Sequence, residues 1–130
     1  MLIVDDEEGI RIVLARALRA SGYEVLEAAD GGQALALARA HLNAVRVVVL
    51  DMMMPGLDGL QVVAALREFA PQLPIVACSG LDRYRGELAK QGFSRICFLQ
   101  KPILADTLRQ ALRALLDGKS DPFSSPPFSA

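Results

Sequence analysis

The chain has no excess of charge of either sign. Over 130 residues, Lys and Arg total 14 against 15 for Asp and Glu, a formal net charge of -1. A domain so balanced lacks the positive footprint that holds a polyanion, so neither nucleic acid nor membrane contact is expected of it. Cysteine is scarce: Cys78 and Cys97 lie far apart with no Cys/His cluster, and His41 stands alone. That excludes a zinc site by spacing and leaves two buried thiols, one helix-end histidine and a reducing, cytoplasmic compartment as the reading that fits best. The first residues, Met1-Leu2-Ile3-Val4-Asp5-Asp6, carry no basic segment, and no run approaches the ~20 apolar residues of a membrane span. No G-x-G-x-x-G follows the first apolar run, which makes dinucleotide binding a poor reading.

What the chain does have is apolar content, 52%, enough for one core in one domain. Leu2 to Val4 reads as a strand. Ile10, Val13, Leu14, Ala17 and Leu18 then recur at helical spacing up to Gly22. Val25 to Ala28 makes a second strand, and Asp30 with Gln33 caps a helix over Ala34 to Ala40. Val45 to Leu50 is too apolar for a half-exposed strand; Pro55 to Gly59 reads as a loop, and Leu60 to Phe69 as a helix ended before Pro71. Ile75 to Cys78, a weak helix within Leu81 to Gln91, and Ile96 to Leu99 follow. Leu104, Leu108, Ala111, Leu112, Leu115 and Leu116 form the clearest helical stripe, with a stop at Gly118. One globular unit is therefore expected over 1–118. Residues 119–130, rich in Pro and Ser, read as a disordered tail or linker.

Regular alternation of strand and helix predicts a doubly wound α/β fold, a parallel sheet with helices on both faces, whose functional crevice lies at the carboxyl ends of the strands. Asp5 and Asp6 follow the first strand, Asp51 the third, Ser79 the fourth and Lys101 the fifth. Asp51 is the sharpest of these, because it ends the run Val47-Val48-Val49-Leu50, where a carboxylate is costly to bury. Three carboxylates at one edge repel one another unless a cation offsets them, and Mg²⁺ suits carboxylates combined with phosphate and water. A hydroxyl and an ammonium beside them can bind phosphoryl oxygens, and an Asp carboxylate can itself be the nucleophile. Together they describe an aspartyl-phosphate site.

Each residue has a plainer explanation. Asp5 and Asp6 can cap the first helix, Ser79-Gly80 can be a turn, Lys101-Pro102 a strand exit, and Phe98 core. Met52, Met53 and Met54 can be gap fillers. Convergence on one sheet edge is what favours function over these alternatives.

Asp5-Asp6, Asp51 with Met54-Pro55 and Asp58-Gly59, Ser79-Gly80, and Lys101-Pro102 resemble the receiver domain of two-component response regulators, in order and in spacing, over residues 1 to about 117. The resemblance implies the flavodoxin-like strand order 2-1-3-4-5. It implies Asp51 as phosphoacceptor for a histidine kinase or phosphotransfer domain. Mg²⁺ would be held by Asp6, Asp51 and the Met53 carbonyl, with Asp5 acting through water. Ser79 and Lys101 would contact phosphoryl oxygens, and Phe98 would be the switch aromatic. The fourth helix, fifth strand and fifth helix would form the readout surface, for a downstream effector, a dimer partner or the protein's own kinase core. Ser79-Gly80 and Phe98-Leu99-Gln100-Lys101-Pro102 look most like receivers at the C-termini of hybrid sensor histidine kinases. The family usually has several residues before the first strand, so a chain whose strand begins at Met1 is expected to be a trimmed piece.

Two other functions compete. A Mg²⁺-dependent phosphohydrolase with an Asp nucleophile needs a second acid two residues on, where this chain has Met53. A pseudo-receiver would keep the fold without accepting phosphate, against which stand the intact acids, Ser79 and Lys101. Strand alternation places Cys78 pointing away from the site and out of disulfide reach of Cys97.

Overall fold

The computed structural model describes residues 1–117. The expected tail and the Gly118 helix stop lie outside the described residues. Five strands, β1 (Leu2–Val4), β2 (Leu26–Ala28), β3 (Val48–Asp51), β4 (Ile75–Ser79) and β5 (Ile96–Gln100), alternate with helices α1 (Glu8–Ala20), α2 (Gly31–Ala40), α3 (Gly59–Phe69), α4 (Arg83–Lys90) and α5 (Ala105–Asp117). All strands pair in parallel in the order β2-β1-β3-β4-β5, the flavodoxin-like order expected. Each β1 and β3 residue is buried, as continuous apolar runs in a parallel sheet require.

Side-chain alternation splits the core into two layers. Leu2, Val4, Val48, Leu50, Ile75, Ala77, Ile96 and Phe98 pack with Ala34 and Ala38 of α2, Val62, Val63 and Leu66 of α3, and Tyr84 and Leu88 of α4. Ile3, Val49, Val76, Cys78, Cys97 and Leu99 pack with Leu14, Ala15 and Leu18 of α1 and Leu108, Ala111, Leu112 and Leu115 of α5. A substitution such as Leu112→Ala, at a side chain with no exposure, would remove a piece of that second layer at a cost of about 2–5 kcal/mol.

Local chemistry sets the helix starts. Asp30 caps α2 by accepting from the Gln33 N–H at 2.7 Å, as its spacing predicts. α3 begins one residue earlier than the periodicity suggests, because Asp58 and Gln61 form a reciprocal capping box. Gly59 is obligatory there. A Cβ would come within 2.6 Å of the Met52 Cα and 2.5 Å of its sulfur, while the Gly59 N–H donates to the Met52 carbonyl at 3.0 Å. The Asp58-Gly59 pair thus presses the start of α3 onto the residue that follows Asp51. β3 begins later than expected, at Val48, since β1 and β4 offer pairing partners only from that register on.

Candidate functional site

Asp5, Asp51, Ser79 and Lys101 meet at the carboxyl edge of the sheet, and burial is unequal among the acids. Asp5 and Asp51 are 4% and 5% exposed, Ser79 is 1% exposed, and Asp6 is exposed. Three of these side chains are fixed by the same device. Asp5 Oδ1 accepts from the Glu7 N–H at 2.9 Å, Asp51 Oδ1 from the Met53 N–H at 3.1 Å, and Ser79 Oγ from the Leu81 N–H at 3.0 Å. In each case the side chain takes the amide two residues ahead, the local turn that Asp and Ser favour where a strand gives way to a loop. Asp5 consequently fastens the loop before α1 instead of capping the helix, and Glu7 at the cap position has no side-chain cap bond.

Each of these bonds occupies one oxygen and leaves the other side free. Lys101 Nζ stands 3.4 Å from Asp51 Oδ2 and 3.5 Å from Asp5 Oδ2. Its backbone is held by a hydrogen bond from the Lys101 N–H to the Ser79 carbonyl, and its peptide to Pro102 is cis. Burial pushes the Asp51 carboxyl up to about 6, against the Met53 amide and Lys101, which lower it. Burial also opposes the charge on Lys101, but the Asp51 and Asp5 carboxylates outweigh it and hold the ammonium above its usual range.

Asp5, Asp6 and Asp51 each offer a carboxylate oxygen within 4.8 Å of the others. Two are buried and all are hard oxygen donors, and one lysine does not neutralise three acids. The set fits a divalent cation of the Mg²⁺ kind by donor chemistry and charge.

Parity divides the remaining residues. Asp51 and Lys101 continue the alternation of Val47 and Val49 and of Cys97 and Leu99, toward α1 and α5; Ser79 continues that of Ile75 and Ala77, toward α4. Cys78 corrects the expectation. It lies on the same face as Asp51 and Lys101, and lines with them a cavity of about 280 Å³ walled by Ile10, Val13 and Ile103. Adjacency to Ser79 misled because Ser79, not Cys78, has the opposite parity to the acids. Burial raises both thiols, Cys97 up to about 12, and both cysteines are free. Phe98 is 3% exposed in the α4-facing layer, on the same face as Ser79, with the Arg85 guanidinium 4.9 Å from its ring centre.

Periodicity gives no hint of Arg11. It donates from Nη1 to the Asp5 carbonyl at 2.8 Å and from Nε to Glu27 at 3.2 Å, tying the loop that carries the acids to the edge strand β2. The one available signal was Glu27 itself, a charge between Leu26 and Ala28 in a three-residue strand.

No helix among the described residues is long and apolar enough to cross a membrane. Residues 1–113 match the family model described as response regulator receiver domain. The chain is 39% identical over 116 residues to "Response regulator MprA" of Mycobacterium sp. (strain KMS), an alignment covering 89% of this chain and 50% of that one. The chain therefore spans about half the length of the curated relatives it matches. Among solved structures, the receiver domain from Hybrid Histidine Kinase CckA superposes with a TM-score of 0.75 at 37% identity, covering 88% of this chain and 96% of that one. The receiver domain of NtrX from Brucella abortus gives a TM-score of 0.78 at 33% identity, covering 92% and 98%. Sheet order, edge geometry and both kinds of similarity agree: the chain belongs to the response regulator receiver domain family of two-component signalling.

Proposed function

We propose that this receiver accepts a phosphoryl group on Asp51 from a phosphohistidine donor, with Mg²⁺ bound, and thereby switches a partner surface. The observation that carries the reading is the position of Asp51: a buried carboxylate with Oδ1 tied to the Met53 amide and Oδ2 facing Lys101 at 3.4 Å. Asp6, Asp51 and the Met53 carbonyl would hold the metal directly, with Asp5 acting through water. When bound, Mg²⁺ supplies the positive charge that offsets carboxylate and phosphoryl repulsion.

Asp51 Oδ2, the oxygen not tied to the Met53 amide, is the nucleophile. Its attack on phosphorus breaks the phosphorus–nitrogen bond of the donor. Lys101, already a cation, takes a phosphoryl oxygen as Asp51 becomes an acyl phosphate. Ser79 accepts from the Leu81 amide, which leaves its hydroxyl hydrogen free to donate to another phosphoryl oxygen. A pull on Ser79 acts on the layer that contains Phe98, so Phe98 and the α4–β5–α5 surface are the readout. That surface serves an effector, a second copy or the protein's own kinase core. The likeness to the receiver domain from Hybrid Histidine Kinase CckA supports the last.

Phosphoramidate, whose phosphorus–nitrogen bond imitates phosphohistidine, tests the reading. With Mg²⁺ the protein should gain the mass of one phosphoryl group, and with the metal chelated beforehand it should gain none; gain independent of the metal would contradict it.

A further inference from the structure

Solvent reaches one of the four methionines to a large extent. Met1, Met52 and Met54 are 8%, 0% and 7% exposed, whereas Met53 is 49% exposed. Met53 is also the methionine whose backbone is bonded to Asp51, through its N–H to Oδ1. Across the edge, Leu81 occupies the equivalent place two residues past Ser79, is bonded to it in the same way, and is 40% exposed. The two loop positions that follow the site side chains therefore both present an open apolar group, and neither offers a strong hydrogen-bonding group to hold a water.

We propose that Met53 is a modification site, where oxidation of the thioether by a peroxide shortens the life of the phosphoryl group; the inference rests on the reading of Asp51 as phosphoacceptor. The peroxide O–O bond breaks and one oxygen bonds to the Met53 sulfur. The sulfur loses two electrons, and the remaining peroxide oxygen leaves as water. Exposure directs this reaction to Met53, and burial protects Met52 and Met54 on either side. The product carries a strong acceptor oxygen on the residue whose backbone N–H is bonded to Asp51, where the reduced side chain has none.

Loss of the phosphoryl group forms a bond from a water oxygen to phosphorus and breaks the phosphorus–oxygen bond to Asp51, releasing inorganic phosphate and restoring the carboxylate. A water whose hydrogen is held by the sulfoxide presents its lone pair to phosphorus, an orientation effect that the thioether cannot provide. Met53 in the reduced state preserves the signal; in the oxidised state it erases it, and methionine sulfoxide reductase restores the first condition.

The test is dilute hydrogen peroxide, removed before phosphorylation with a small acyl phosphate and Mg²⁺, followed by peptide mass mapping and by the decay of the phosphorylated mass. One added oxygen at Met53 and decay faster by about tenfold are expected. Reductase treatment should reverse the acceleration, Met53→Leu should lose the response to peroxide, and Met53→Gln should decay fast without it. Oxidation arising first at another methionine, or unchanged decay after selective oxidation of Met53, overturns this inference alone. Absence of any adduct on untreated protein overturns the phosphoacceptor reading and this inference with it.

Discussion

Lys101 Nζ lies 3.4 Å from Asp51 Oδ2, on the same face of the sheet and with a backbone hydrogen bond that ties β5 to the end of β4. The pair is short of neutralising the edge, since Asp5 shares the same ammonium at 3.5 Å. Burial holds Asp51 up near 6, with the Asp5 carboxylate adding to it, and there its charge costs folding energy.

Replacing that charge should stabilise the metal-free protein. A carboxyl whose folded value is raised contributes stability that is full below the unfolded value, about 4, and is lost as pH rises through about 6. Asp51→Asn is therefore expected to gain about 1–2 kcal/mol over wild type at pH 7 without divalent cations, with the gap closing toward pH 4. Urea denaturation at both pH values measures it; a gain that grows on acidification would contradict the sign.

Gly59 offers a second test, because its missing side chain lets α3 rest on Met52. Gly59→Ala should cost about 1–3 kcal/mol, since the clash is partly with backbone. Weaker Mg²⁺ binding should accompany it, as the displaced segment leads from Asp51 to Met53. Thermal melting and calorimetric titration of Mg²⁺ check the two effects separately.

The fold was almost wholly legible in the sequence, for a physical reason. β1, β3, β4 and β5 are apolar runs closed by a polar residue, and helices carry a stripe such as Leu108, Leu112 and Leu115 or a cap such as Asp30. Asp5, Asp51, Ser79 and Lys101 were legible because strand ends in a parallel sheet share one edge. Arg11 and the facing of Cys78 were not. Arg11 acts through the Asp5 carbonyl and Glu27, contacts between elements that leave no periodic trace, and Cys78 required knowing which parity belongs to the acids.

Arg11 should act as a positioning residue. Arg11→Ala frees the loop bearing Asp5 and Asp6 from β2 and is expected to weaken Mg²⁺ binding by about tenfold, as loss of an outer support commonly does. Arg11→Lys should recover little, since one ammonium cannot meet both the Asp5 carbonyl and Glu27 as the guanidinium does. Calorimetric titration decides it, with denaturation alongside to separate affinity from stability.

Met53 and Leu81 predict a slow loss of the phosphoryl group. Met53→Asn supplies an amide able to orient water and should accelerate the loss by about tenfold. The decay of the phosphorylated mass in wild type and variant is the measurement, and equal rates would count against the prediction.

The central claim is that Asp51 is the residue that accepts the phosphoryl group. Incubation of wild type and Asp51→Asn with Mg²⁺ and a small acyl phosphate, followed by intact mass, tests it most directly. One phosphoryl group on wild type and none on the variant is the result predicted; no adduct on wild type, or an equal one on both, would contradict it.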